Sequence, residues 1–141
     1  MGNPMKAIVY PLFLLVLTGC SPLVIDSVEQ LRDNNKKNIA QLAVGTPRAQ
    51  VEKLMGDAAA GGKAGDILFG RLQYLEVKNP QRVEQITGSD GAAYDVLFYY
   101  TDLKTRDDKI TDDELTPVVF RGHELAGIGY EFLGKLKSKG R

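Results

Sequence analysis

The stretch from Tyr94 to Thr101 limits the fold more than any other part of the chain. Tyr94, Val96, Phe98 and Tyr100 alternate with Asp95, Leu97, Tyr99 and Thr101, and both sets are largely apolar. Alternation sends successive side chains to opposite faces of a strand. A strand apolar on both sides belongs at the centre of a sheet, buried. Its neighbours are read on the same logic. Val118 to Arg121, a Gly122-His123 turn, and Glu124 to Leu133 form a closing hairpin. Gly127 and Gly129 in its second strand leave room for close packing. Upstream, Ile67 to Lys78 is a first strand region, ended by Asn79-Pro80, and Arg82 to Thr87 is another strand before the turn cluster Gly88-Ser89-Asp90-Gly91.

Two helices precede these strands. Ser27 with Gln30, and Asp26 with Glu29, carry the spacing of a capping box. Val28, Leu31, Ile39 and Leu42 then recur at helical spacing, interrupted by Asn34 and Asn35. Gly45 suits a left-handed terminating conformation, Thr46 an N-cap and Pro47 the first position of a second helix. Val51, Leu54 and Met55 make the buried stripe of that helix, and Gly56 closes it. Asp57 to Gly65 is rich in Ala and Gly without periodicity and reads as a loop. The order predicts an α+β fold, two N-terminal helices packed on one face of an antiparallel sheet of three to five strands.

The start of the chain has a different character. Lys6 is followed by the apolar run Ala7 to Leu17 and the small pair Thr18-Gly19, the three parts of a secretory signal. The run is shorter than the ~20 apolar residues that span a bilayer. Met5-Lys6 is itself a typical signal start, so both Met1 and Met5 stand as candidate first residues. Leu17-Thr18-Gly19-Cys20 resembles a bacterial lipobox, in which a thiolate, a far better nucleophile than a hydroxyl, takes the lipid. The resemblance implies a diacylglycerol thioether on Cys20, cleavage after Gly19 and an added acyl chain such as palmitate on the freed amine. Two or more chains anchor stably, one only marginally. Ser21 at the next position favours the outer membrane over retention at the inner one. The expected organisation is a signal peptide at 1–19, a lipid tether at 20–26, a folded domain at 27–134 and a basic tail at 135–141.

Removal of the signal leaves 122 of the 141 residues, enough for one domain with a modest core. Positive and negative charges are equal in number, so there is no electrostatic footprint for nucleic acid. Cys20 is the only cysteine. Once acylated, it leaves no thiol for a disulfide, a metal site or a nucleophile.

Two family resemblances follow from the residues. Leu42, Gly45-Thr46, Val51 and Leu54-Met55-Gly56 are similar to the helix-turn-helix signature of the small outer-membrane lipoproteins of the SmpA/OmlA (BamE-like) type. That family implies two helices before an antiparallel sheet and an accessory, non-enzymatic role in outer-membrane assembly. Further on, Val96-Leu97-Phe98-Tyr99-Tyr100-Thr101, Asp112 to Phe120 and Leu125-Ala126-Gly127-Ile128-Gly129 resemble a gammaproteobacterial lipoprotein family of unknown function. Its members carry an Arg where Tyr100 stands and a Trp where Ile128 stands. Neither resemblance brings a catalytic residue.

The remaining candidate sites each have a plain alternative. Asp102, Asp107, Asp108, Asp112, Asp113 and Glu114 crowd one stretch, whose second half echoes a calcium loop closed by Glu114. The register puts Leu103 and Thr105 where the first two carboxylates belong, so a solvated acidic loop at 102–114 is the plainer reading. His123, the only histidine, sits in a turn without partners for zinc or a catalytic pair. Tyr94, Phe98, Tyr99, Tyr100, Phe120, Tyr130 and Phe132 are core aromatics or a face left open for a partner. Lys135, Lys137, Lys139 and Arg141 make a basic tail, on the plain reading a disordered, solvated one, which on a tethered protein could also touch anionic headgroups.

The expected function is a lipid-anchored, periplasm-facing outer-membrane lipoprotein. It acts as a non-enzymatic interaction or structural module with an envelope protein partner. No metal, no cofactor beyond the lipid on Cys20 and no nucleic acid are expected. The alternative is a small binding protein for calcium, through the 102–114 loop, or for another small ligand.

Overall fold

The structure is a computed structural model that describes residues 27–64, 73–105, 107 and 109–138. The elements run α1 (Val28–Ile39), α2 (Arg48–Met55), β1 (Ala59–Ala64), β2 (Gln73–Lys78), β3 (Arg82–Thr87) and β4 (Ala93–Tyr100). A single 3₁₀ turn, Asp112–Glu114, then leads into β5 (Leu115–Arg121), β6 (Glu124–Ile128) and α3 (Gly129–Ser138). The main sheet is an antiparallel meander of order β3-β4-β5-β6, and β1 and β2 pair as a separate two-stranded sheet. The class is α+β and the main sheet has four strands, as expected. The third helix and the second sheet were not anticipated.

β4 lies inside the sheet, and Tyr94 and every residue from Val96 to Tyr100 are buried. Its two faces belong to two cores. Tyr94, Val96, Phe98 and Tyr100 pack with Leu31 of α1, Val77 of β2 and Leu133 of α3. Leu97 and Tyr99 pack with Val118, Phe120 and Leu125 and with Val51 and Met55 of α2. The two N-terminal helices therefore cover opposite faces, not one. A sheet apolar on both sides needs a layer on each, and α1 and α2 divide the work. Within α2 the buried pair is Val51 and Met55, one helical turn apart, while Leu54 points away and is 37% exposed.

Three local departures have physical causes. Ala59–Ala64 is a strand where a loop is expected; its register against β2, Ala59 opposite Lys78 through Ala64 opposite Gln73, comes from pairing and not from propensity. The strand expected from Glu124 to Leu133 stops at Ile128, because Gly129 takes φ +87° and turns the chain into α3. The same helix extends past residue 134, with Lys135 and Lys137 in its last turn. Gly127 does provide the anticipated close approach, since a Cβ there would sit 2.4 Å from the Phe132 ring. Finally, α2 begins at Arg48 with Pro47 as its cap residue. Thr46 donates its hydroxyl to the Ala43 carbonyl at 2.6 Å instead of capping.

The helix starts otherwise follow the sequence. Ser27 accepts from the Gln30 N–H at 3.1 Å and caps α1. Gly45 and Gly56 both take positive φ, as the loop between the helices and the end of α2 require.

Candidate interaction surface

The far end of α2 and strand β3 leave a groove between them. It encloses about 560 Å³, with Val83, Leu97 and Tyr99 among its lining. Arg48, Glu52, Lys53 and Asp57 line it from the helix side, and Asn79-Pro80 contribute from the turn before β3. Leu97 and Tyr99 are buried beneath α2, but Val83 is 58% exposed. Val83 is directly opposite Leu97 in the β3–β4 ladder, so it continues the α2-side core outward to the sheet edge.

Several polar groups of the groove are held by definable partners. Arg48 donates to Glu52 at 2.8 Å and to Asp95 at 2.5 Å, and its guanidinium lies 5.3 Å from the centre of the Phe120 ring. These hydrogen bonds, first to Glu52 and then to Asp95, raise the pKa of the guanidinium above its ordinary value. Gln85 donates to the other oxygen of Asp95 at 3.1 Å. Burial pushes the Tyr99 phenol up to about 12. Asn79 is fixed by a reciprocal amide pair: Asn35 donates to it at 2.8 Å and accepts from it at 2.7 Å. The second protons go to main-chain carbonyls, Asn35 to Tyr100 at 2.9 Å and Asn79 to Met55 at 2.9 Å. This network ties α1, the end of α2, the turn before β3 and the end of β4 together.

The two edges of the main sheet differ. Along β6, the segment before α2 closes the edge: Pro47 bridges to Glu124, Leu125 N–H donates to Thr46, and Gly45 N–H donates to Leu125. Along β3, no described strand lies beyond. Gly88 N–H donates to Ala92 at 2.8 Å in the register of the β3–β4 ladder. Antiparallel pairs alternate between bonded and non-bonded. Ile86 and Glu84 therefore bond to β4, and Val83 and Gln85 direct their N–H and C=O groups outward. On the opposite face of this strand, Arg82 covers Phe98, its guanidinium 4.1 Å from the ring centre, and pairs with Glu84 at 2.8 Å and Asp112 at 2.9 Å. Tyr130 donates to the Asp112 carbonyl at 2.7 Å beside it.

The acidic loop is built around Glu114, which is 2% exposed. One carboxylate oxygen accepts from the Lys104 N–H at 2.7 Å and the Thr105 N–H at 3.2 Å, and the other from the Thr111 N–H at 3.1 Å. The residue at the closing position of the calcium-loop echo thus organises the loop's own main chain. Asp102 pairs with Lys104 at 2.5 Å, and this hydrogen bond holds the carboxyl below its ordinary pKa. Among the described residues no three His, Cys, Asp or Glu side chains group as metal ligands.

The other sequence candidates separate. Cys20 and Gly19 lie outside the described residues. His123 is exposed at the β5–β6 turn, its carbonyl accepting from Arg48 N–H at 2.8 Å. Tyr94, Phe98, Tyr99, Tyr100 and Phe120 are core residues and leave no open aromatic face on the main sheet among the described residues, of which Tyr130, 42% exposed, is the one large aromatic at the surface. Lys135 pairs with Glu131 at 2.7 Å on α3. Among the described residues no helix is long and apolar enough to cross a membrane. Sequence reasoning missed the groove and the β3 edge, which no described strand pairs. The available signal was Val83, an apolar residue between Arg82 and Glu84 in a strand whose other apolar position, Ile86, faces the opposite side.

A family model described as Protein of unknown function (DUF3192) matches residues 24–134. No curated protein and no solved structure matches the chain.

Proposed function

The chain belongs to the DUF3192 family, and we propose that it is a lipid-anchored, non-enzymatic interaction module facing the periplasm from the outer membrane. The observation that carries this reading is the β3 edge, beyond which no described strand lies, with exposed Val83 beside the α2 groove. An unpaired strand edge is a template for another chain, and the main-chain hydrogen bonds supply affinity while adjoining apolar contacts supply choice. Anchoring rests on the lipobox at Leu17–Cys20 in register with a signal segment. The likeness to SmpA/OmlA lipoproteins, and with it a role in envelope assembly, rests on the helix, Gly45-Thr46, helix arrangement ahead of the sheet. Arg48 and Asn79, which line the groove, are already engaged by Glu52, Asp95, Asn35 and the Met55 carbonyl, which supports docking of a chain.

A photo-crosslinking residue placed at Val83 in the intact envelope tests the reading. The expected result is a discrete adduct that is absent when the same residue replaces His123. Equal or no adducts from both positions would count against an interaction surface here.

A further inference from the structure

We infer that the β3 edge pairs with the β3 edge of a second copy of this chain, about a two-fold axis through Val83. The inference names the partner of the interaction surface proposed above and rests on that reading.

Parity comes first. Val83 and Gln85 direct their main-chain polar groups away from β4, as the ladder register requires. Two copies related by a two-fold axis perpendicular to the sheet pair antiparallel, and each residue meets the one whose number completes a constant sum. Only even sums bring outward-facing residues together.

Charge then selects among these registers. With Val83 opposite Val83, Arg82 of each copy stands opposite Glu84 of the other. With the axis moved to Glu84, two carboxylates meet directly, which is unfavourable. With the axis moved to Gln85, Glu84 stands opposite Ile86, and neither charge gains a partner. The Val83 register is therefore the self-complementary one. It also pairs the two exposed valines on the α2 side, where each extends the other's groove lining. On the opposite face Arg82 lies over the Phe98 ring and pairs with Glu84 and Asp112 of its own copy, so the cross-copy pairing with Glu84 extends an ion-pair cluster that each copy already holds. A single edge strand is a small contact, and anchoring both copies on one membrane raises their effective concentration.

The test uses the full chain in its native envelope. Val83→Cys should give a disulfide-linked dimer on non-reducing gels, because a bonded antiparallel pair holds Cα atoms ~5.5 Å apart, within disulfide reach. The parent chain and His123→Cys should give none. Arg82→Glu and Glu84→Arg, each added to the Val83→Cys chain, should reduce the dimer several-fold, and the two together should restore it. Sedimentation of the detergent-solubilised parent chain should show a concentration-dependent dimer. Stronger crosslinking from Gln85→Cys than from Val83→Cys, or no restoration by the charge swap, overturns the register and the inference. An adduct at Val83 whose mass differs from twice the chain overturns the second copy while upholding the interaction-module reading.

Discussion

Each side-chain amide of Asn35 and Asn79 donates to the other, and both remaining protons reach main-chain carbonyls. At 1% and 6% exposure, neither amide has water to fall back on. Replacing Asn35 by Leu strips the buried Asn79 amide of its reciprocal pair and removes the side-chain donor to the Tyr100 carbonyl, and we expect a loss of ~1–3 kcal/mol in denaturant titration. The double replacement Asn35→Leu with Asn79→Leu should cost less than the sum of the singles, because it removes both halves of the pair. Phe98, 1% exposed, represents the apolar counterpart. Phe98→Ala should cost ~3–5 kcal/mol, while His123→Ala at the exposed turn should change stability by under ~0.5 kcal/mol. Tyr99 gives the pH dependence. Its phenol is raised to about 12 by burial, so the folded state keeps a proton that the unfolded state, with an ordinary tyrosine, loses near pH ~10. Stability should therefore fall as pH climbs from ~10 towards 12, and ultraviolet titration should show Tyr99→Phe removing a late-ionising phenol.

At the scale of elements, legibility followed the clarity of the periodic signal. β4 was readable because both of its alternating sets are apolar, and α1 because Ser27 caps it where a capping residue was expected. α3 was not, because Ala126, Ile128, Tyr130 and Phe132 continue a period of two while Phe132, Leu133 and Leu136 carry a helical spacing through the same residues. Gly129 decides between them. β1 carries no strand signal in Ala59-Ala60-Gly61-Gly62-Lys63-Ala64 and forms through its partner. Of the candidate site, Val83 stood in an expected strand, but its exposure depends on β3 being terminal, a property of topology. The stretch before β5 offers a further prediction. Glu114→Gln replaces one acceptor oxygen with an NH₂ that faces main-chain donors. Hydrogen exchange should accelerate at Lys104, Thr105 and Thr111 while the β4 amides keep their protection, with a stability loss of ~1.5–3 kcal/mol.

For the whole molecule, the first question is attachment. Metabolic labelling with a fatty acid should mark the chain, and Cys20→Ala should abolish the label; a labelled Cys20→Ala variant would refute the anchor. A further consequence lies in the seam that joins residues 45–48 to the last strand. Pro47 bridges Glu124, Thr46 and Leu125 share main-chain bonds, and Arg48 N–H reaches His123. The α2-side core likewise joins Val51 and Met55 to Phe120 and Leu125. An exported chain emerges N-terminus first, so α2 reaches the far side of the membrane long before the strand that must receive it. Contacts between residues so distant in the sequence form slowly, and the apolar stripe of α2 waits uncovered meanwhile. If the chain is exported as proposed, its dangerous interval is set by transit time, and escorting factors should matter most before Leu125 has crossed.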